Sequence, residues 1–300
     1  MKKVLVLILS IICCNTLYSQ HWIGVSADAD LAWQLDKIPT TSAKIGGGTG
    51  IGFVYQYQYN HFILETGVRG EFLHNPIGIT DSLLHFDMLD TRGTQFVYNG
   101  YLKNRVDASN NLSLSVPLML GVEYNYFYGL VGAKVNYFLL SSTHQTAQLA
   151  TTGDYDRYYE TLVDMPNHGF HDYIKAETKG SMKYNLDARI TAEIGTSIYS
   201  SNRSTKFRIG IFAEYGVRNI RKQTTEEPML APDLSEYMHV NMTHIYSTPY
   251  NPTSSVNNLI CGIRFSALFL VGNARSNHAS YRSNQSRHSR HSYPCRCMLY

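Results

Sequence analysis

Cysteine is too scarce to frame this chain. Of its five, Cys13 and Cys14 fall in an apolar N-terminal run, leaving Cys261, Cys295 and Cys297, an odd number with two crowded near the C-terminus. A disulfide scaffold is thereby excluded. Charged residues are also thin, at 16%, but 44% hydrophobic and 12% aromatic content rule out a disordered, collagenous or coiled-coil chain. Beyond the N-terminal run no stretch approaches the roughly 18 consecutive apolar residues of a membrane helix, so any membrane crossing must use strands. Catalytic signatures are missing as well: there is no Gly-x-Ser-x-Gly elbow, no His-Glu-x-x-His helix and no phosphate-binding glycine loop. Gly46-Gly47-Gly48 heads an amphipathic strand, where glycine relieves strand curvature.

What is present begins with a leader. Lys2 and Lys3 precede an apolar run from Val4 to Cys14, and Asn15, Thr16, Ser19 and Gln20 follow, the layout of a secretory signal peptide over 1–20. Cys13 and Cys14 lack the small preceding residue that lipidation needs and read as filler. The far end differs in composition. From Val271 to Tyr300 there are five arginines and no acid, with much Ser, Asn and His. Taking these and the two leader lysines from the net charge of +3 leaves the body at −4. We read 271–300 as a short, disordered, basic periplasmic tail.

Between these ends the pattern has period two. From Tyr184 to Ile198 the even positions read Tyr184, Leu186, Ala188, Ile190, Ala192 and Ile194, and the odd ones Asn185, Asp187, Arg189, Thr191, Glu193 and Gly195. From Lys206 to Arg218, Phe207, Ile209, Ile211, Ala213, Tyr215 and Val217 share a face. Six further strands read the same way, over 22–35, 45–59, 61–74, 112–124, 127–140 and 256–270. Eight is an even number, as hairpin closure of a single-chain bacterial barrel requires. Tight turns at 59–61, 125–126 and 199–204 alternate with connections near 36–44, 75–111, 141–182 and 220–254, mostly much longer, the asymmetry of outer-membrane barrels. Alternation alone also fits a soluble sandwich or lipocalin-like barrel. Strand length, the leader and aromatics near strand ends favour the membrane.

The stretch Leu112-Ser113-Leu114-Ser115-Val116-Pro117-Leu118-Met119-Leu120-Gly121, then Phe127-Tyr128-Gly129-Leu130-Val131-Gly132-Ala133-Lys134, is similar to the outer-membrane β-barrel proteins of Bacteroidota, loosely the PorT-like and OmpA-barrel-like group. Cys261-Gly262-Ile263-Arg264-Phe265-Ser266-Ala267-Leu268-Phe269 resembles that group's last strand. The resemblance spans most of 21–270 and marks strands, not chemistry. It implies an all-β, eight-stranded antiparallel up-and-down transmembrane barrel with long extracellular loops, located in the outer membrane. It implies no catalytic residues, and roles in secretion, envelope maintenance or none assigned.

With the apolar face toward lipid, the other face turns Asp28, Asp30, Glu65, Arg69, Glu71, Glu123, Lys134, Asp187, Arg189, Glu193, Lys206, Arg208, Glu214, Arg218 and Arg264 into the lumen. Eight strands enclose a bore that side chains fill, so these charges should pair across it, which argues against a wide pore. The third long connection is rich in aromatics for an exposed segment, and Tyr155, Tyr158, Tyr159, Phe170 and Tyr173 are its candidates for binding a surface ligand or partner. His168, His171 and Asp172 could offer weak metal ligands, and in the tail so could His288, His291, Cys295 and Cys297, at a spacing matching no zinc pattern. No cofactor and no nucleic acid is expected; the partners are outer-membrane lipid and other envelope proteins or surface ligands. The leading reading is an envelope structural or interaction component or accessory subunit. A hydrolase or acyltransferase at the outer rim and a small selective channel are the alternatives.

Overall fold

The computed structural model describes residues 19–90, 92–155, 160–165, 170–222, 230–232, 240–248 and 254–271. Residues 1–18 of the expected leader and 272–300 of the expected tail lie outside these. Eight long strands form the barrel: β1 (Ser19–Asp36), β2 (Gly46–Tyr59), β3 (Phe62–Ile79), β4 (Gln95–Tyr124), β5 (Phe127–Tyr155), β6 (Asp187–Tyr199), β7 (Thr205–Gly216) and β8 (Val256–Leu270). Each pairs antiparallel with its sequence neighbour, except that β8 pairs β1 and β4 pairs β3 across a short-stranded excursion, so the sheet closes into a ring of eight.

The tight turns fall where the alternation breaks. Asn60, Asn125 and Arg203 take positive φ values of 52°, 57° and 53°, the left-handed corner that Asn tolerates better than most residues. Around Pro117, which has no N–H to donate, the β3–β4 ladder is interrupted between Thr66↔Leu118 and Arg69↔Ser115. The Thr66 hydroxyl donates to the Pro117 carbonyl at 2.8 Å there.

Sidedness is decided by burial. Ile190, Ile211 and Phe265 are 54%, 59% and 56% exposed on the outer wall, whereas Arg189, Arg208 and Glu193 are 1%, 3% and 2% exposed inside. A soluble sandwich would invert this arrangement. Leu112, Leu114, Val116, Leu118, Leu120 and Val122 form one stripe of the outer belt. At about 3.4 Å per residue and a tilt of about 40°, the stripe is roughly 26 Å high, the height of a lipid-facing apolar band.

Three expectations are corrected. The connections at 75–111 and 141–182 are mostly not loops: β3, β4 and β5 run on through the rim to Ile79, Gln95 and Tyr155. Short strands at Thr41–Ala43, Ser82–Leu89, Glu160–Val163 and Ile174–Ser181 pair with these extensions. Beyond the paired Leu112 and Leu140 the outer face turns polar, so the emerging sheet is no longer a lipid surface. Two irregularities mask the period there, one between Lys103 and Val106 and one between Leu112 and Ser113. Each places one extra residue on one strand and exchanges the inward and outward sets. On β5 the even residues Tyr128, Leu130 and Lys134 point inward below Leu139, and the odd residues Thr143, Gln145 and Leu149 above it.

Tyr184 is the second correction. It lies before β6 begins and is buried with Ile38, Ile77, Ile220, Ile245 and Tyr246 in a cluster over the loop-side mouth, not on the lipid face. The third concerns 220–254, part of which folds down as a cap. A single 3-10 turn at Ile245–Ser247 sits in this cluster, fully buried.

Candidate functional site

Two levels of ion pairs fill the bore. Nearer the rim, Lys134 Nζ donates to Glu71 at 2.7 Å and Glu214 at 2.6 Å. Arg189 reaches the same two carboxylates at 3.3 and 3.1 Å and Asp187 at 2.6 Å. Nearer the turns, Arg264 binds Glu193 at 2.5 Å and Asp28 at 3.3 Å, and Arg208 binds Glu65 and, at 3.4 Å, Glu193. Arg69 pairs with Asp28 and donates to Ser26 at 2.9 Å. Lys206 closes the turn end on Glu123 at 3.0 Å, with its ammonium 4.8 Å from the Trp22 ring. These residues come from seven of the eight strands because one face of each carries the polar set. An isolated charge here would cost several kcal/mol, which the cross-strand pairing offsets.

Every lumen residue expected from the sequence lines the bore except Arg218, with Asp30 bordering the level of Glu71 and Lys134. β7 ends at Gly216, the alternation stops, and Arg218 lies exposed. Rings also enter the bore. The Arg208 guanidinium lies 3.9 Å from the Tyr128 ring centre, that of Arg264 lies 4.3 Å from Phe212, and the Tyr128 hydroxyl donates to Glu193 at 2.7 Å. The sequence carries a signal for both apolar rings, since Trp22 shares its parity with Asp28 and Phe212 shares its own with Glu214.

The mouth cap carries a polar knot that the alternation does not signal. Arg105 holds Asp107 through two bonds, at 2.7 and 2.9 Å, and donates to the Thr243 carbonyl at 2.7 Å. Asp107 accepts the Ile245 N–H at 3.0 Å, and the Tyr246 hydroxyl donates to Asp36 at 2.6 Å. Arg221 donates to the carbonyls of Tyr246 and Thr248. His244 is buried beside the knot, and burial pushes its imidazole down to about 4. Asp107 and Arg105 sit in a segment whose sequence reads as loop, and their partners lie some 138 positions away.

The aromatic candidates divide. Phe170 is not a surface anchor: its ring is buried over Gly153, 6.2 Å from Phe96 and 6.0 Å from Tyr98, as an apolar plug on the emergent sheet. Tyr155 stacks on Phe96 at 4.8 Å. Tyr173 is exposed, with the Tyr101 ring edge-on and the Lys103 ammonium 5.5 Å away. Tyr158 and Tyr159 lie outside the described residues, as do His168, His288, His291, Cys295 and Cys297. Among the described residues no group of three or more His, Cys, Asp or Glu side chains is placed to hold a metal ion.

No family profile matches the sequence, and no curated protein does. Solved structures do. The chain is similar to Ail, the attachment invasion locus protein of Yersinia pestis, solved in complex with the heparin analogue sucrose octasulfate, at 11% identity over 82% of this chain and 99% of that one, with a TM-score of 0.27. It is similar to Neisserial surface protein A at 11% identity over 81% of this chain and 95% of that one, with a TM-score of 0.29. The chain is an eight-stranded antiparallel barrel. Its own closed pairing register establishes this.

Proposed function

We propose that this chain is an integral protein of the bacterial outer membrane, exported on the leader over 1–20 and allied to the outer-membrane barrels of the PorT-like and OmpA-barrel-like group. In this reading it serves as an envelope structural or interaction component, or as an accessory subunit, through the polar sheet that leaves the membrane on the loop side. One observation carries it. The apolar belt ends at Leu112 and Leu140 while the same two strands continue to Gln95 and Tyr155 as a sheet with a polar outer face. At about 3.4 Å per residue, the 30 residues of β4 reach roughly 100 Å, far more than a bilayer needs. The surplus is surface presented to the outside. Filled by paired charge and capped at its mouth, the bore speaks against the channel alternative, and the basic tail 271–300 would then lie in the periplasm.

The test joins location to topology. In cell fractionation the protein should sit with the outer membrane and shift gel mobility on boiling. Biotinylation of intact cells at a cysteine placed at Lys175 or Lys179, exposed residues of the emergent sheet, should succeed without lysis. A soluble product with no heat shift would overturn the reading. In planar bilayers the refolded protein should give no large stable conductance steps.

A further inference from the structure

Above the rim, the inner face of β5, the neighbouring strand Ile174–Ser181 and the segment 241–247 enclose a crevice of about 270 Å³. Its lining includes Thr143, Gln145, Thr178, Met242, His244 and Ser247, and among the described residues no Asp, Glu, Lys or Arg contributes to it. Two of these residues each keep one polar atom unpaired, although His244 Nδ1 accepts the Tyr246 N–H at 3.2 Å. Gln145 and His244 are 1% and 2% exposed, and Gln145 Nε2 and His244 Nε2 are buried with no hydrogen-bond partner in the protein. A buried polar atom left unpaired is costly, and two of them on residues that line one crevice are groups whose missing partners a ligand seated there would supply once their side chains turn toward it. His244 keeps its ring uncharged, because burial holds its pKa well below the ordinary value.

From this lining we infer that the crevice is a binding site for one neutral sugar ring, the terminal residue of a glycan or a free monosaccharide. The Thr143 hydroxyl and the remaining proton of Thr178, whose oxygen accepts the Met242 N–H at 3.1 Å, offer donors with the Gln145 amide and His244 Nε2, and Ser247 Oγ, whose proton goes to the His244 carbonyl at 2.8 Å, offers an acceptor, as the hydroxyls around a pyranose require. Met242 offers an apolar surface to the C–H face of the ring. With no ionic group among its described lining residues to neutralise it, a carboxylated or sulfated sugar would leave its charge unpaired. The volume equals about nine waters at about 30 Å³ each, which suits a single ring and falls short of the roughly 300–1,000 Å³ of drug-sized pockets. The inference deepens the surface-interaction reading by naming what the outer sheet holds.

The test uses the full-length protein refolded in detergent micelles, with methyl glucoside, methyl galactoside, N-acetylglucosamine and a neutral oligosaccharide of each as probes, and glucuronate as the charged control. Binding is read by saturation-transfer NMR and by titration calorimetry. At least one neutral probe should bind saturably and glucuronate should not. Preference for the oligosaccharide would identify a glycan end, and equal binding a free sugar. Gln145→Leu and, separately, Thr143→Val on the inner face of β5 should each weaken binding about tenfold, the loss of one neutral hydrogen bond. Heat-modifiable migration establishes that each variant is folded. Absence of saturable binding by every neutral probe, or unchanged affinity in both folded variants, overturns the proposal. Either result leaves the surface-biotinylation test of the wider reading untouched, so the two can fail separately.

Discussion

Replacing Lys134 by Met probes whether the lumen is held by paired charge. Its ammonium lies between Glu71 and Glu214, at 2.7 and 2.6 Å, and is buried on β5. Without it the two carboxylates face each other across the bore, bridged by Arg189 at 3.3 and 3.1 Å, with Arg69 3.8 Å from Glu71 and Arg264 3.5 Å from Glu214. Removing one partner of a buried pair costs about 3–5 kcal/mol, and the surviving Arg189 bridge puts Lys134→Met near the lower end, about 3 kcal/mol. Neutralising one acid as well, in Lys134→Met with Glu214→Gln, removes the repulsion and should recover about half of that. The assay is urea unfolding of the barrel in thin liposomes, followed through Trp22, which is buried at the turn end of the bore, and Trp33. A loss below about 1 kcal/mol in the single variant, or a double variant less stable than the single one, would refute the view that paired charge supports the ring.

Other changes have separate readouts. Leu118→Arg, on the outer belt, should cost about 2–4 kcal/mol if it faces the bilayer midplane, and Leu112→Arg near the rim no more than about 1; equal costs would displace the membrane boundary from Leu112. Gly153→Val should expel Phe170, since a Cβ at residue 153 would come within 2.3 Å of that ring's Cζ. The emergent sheet should then be cut by protease at concentrations the wild type survives, while the heat-modifiable shift of the barrel is kept. Acid should loosen the mouth cap. The His244 imidazole is pushed from an ordinary value near 6.5 to about 4 in the folded state, so the unfolded cap takes up a proton first. Stability of the cap is complete above pH 6.5 and falls as pH drops toward 4, by about 3 kcal/mol in total. Hydrogen exchange at Ile245 and Tyr246 should rise over that window in the wild type and stay flat in His244→Gln.

The strands legible in the sequence are those with unbroken alternation. Leu112 to Val122 and Phe207 to Tyr215 each keep an apolar residue at every outward position without a slip, with Ser, Gly or charged residues, and Pro117, Met119 and Phe212, at the inward ones, because one side of each meets lipid and the other meets the bore. The same parity groups Arg189, Glu193, Arg208, Glu214 and Arg264 on the face opposite the apolar one, and burial of that face brings them into ion pairs. Arg218 fails because parity extrapolated past the end of β7 says nothing about direction. Phe170 fails because composition cannot separate a ring presented to a partner from one packed on Gly153.

By itself the amino-acid order determined eight staves, three tight turns and a polar face opposite an apolar one, since a two-residue period is a local property that survives in one dimension. Which of the two faces lies inside was decided by the closed ring, which buries Arg189, Arg208 and Glu193 and leaves Ile190, Ile211 and Phe265 outside. Tertiary structure alone decided how far the sheet rises past the rim, because the extra residues at 103–106 and 139 invert the period and make strand look like loop. It also decided what closes the mouth. Asp107 meets Ile245, and Asp36 meets Tyr246, only after the ring has shut and brought distant segments within hydrogen-bond reach.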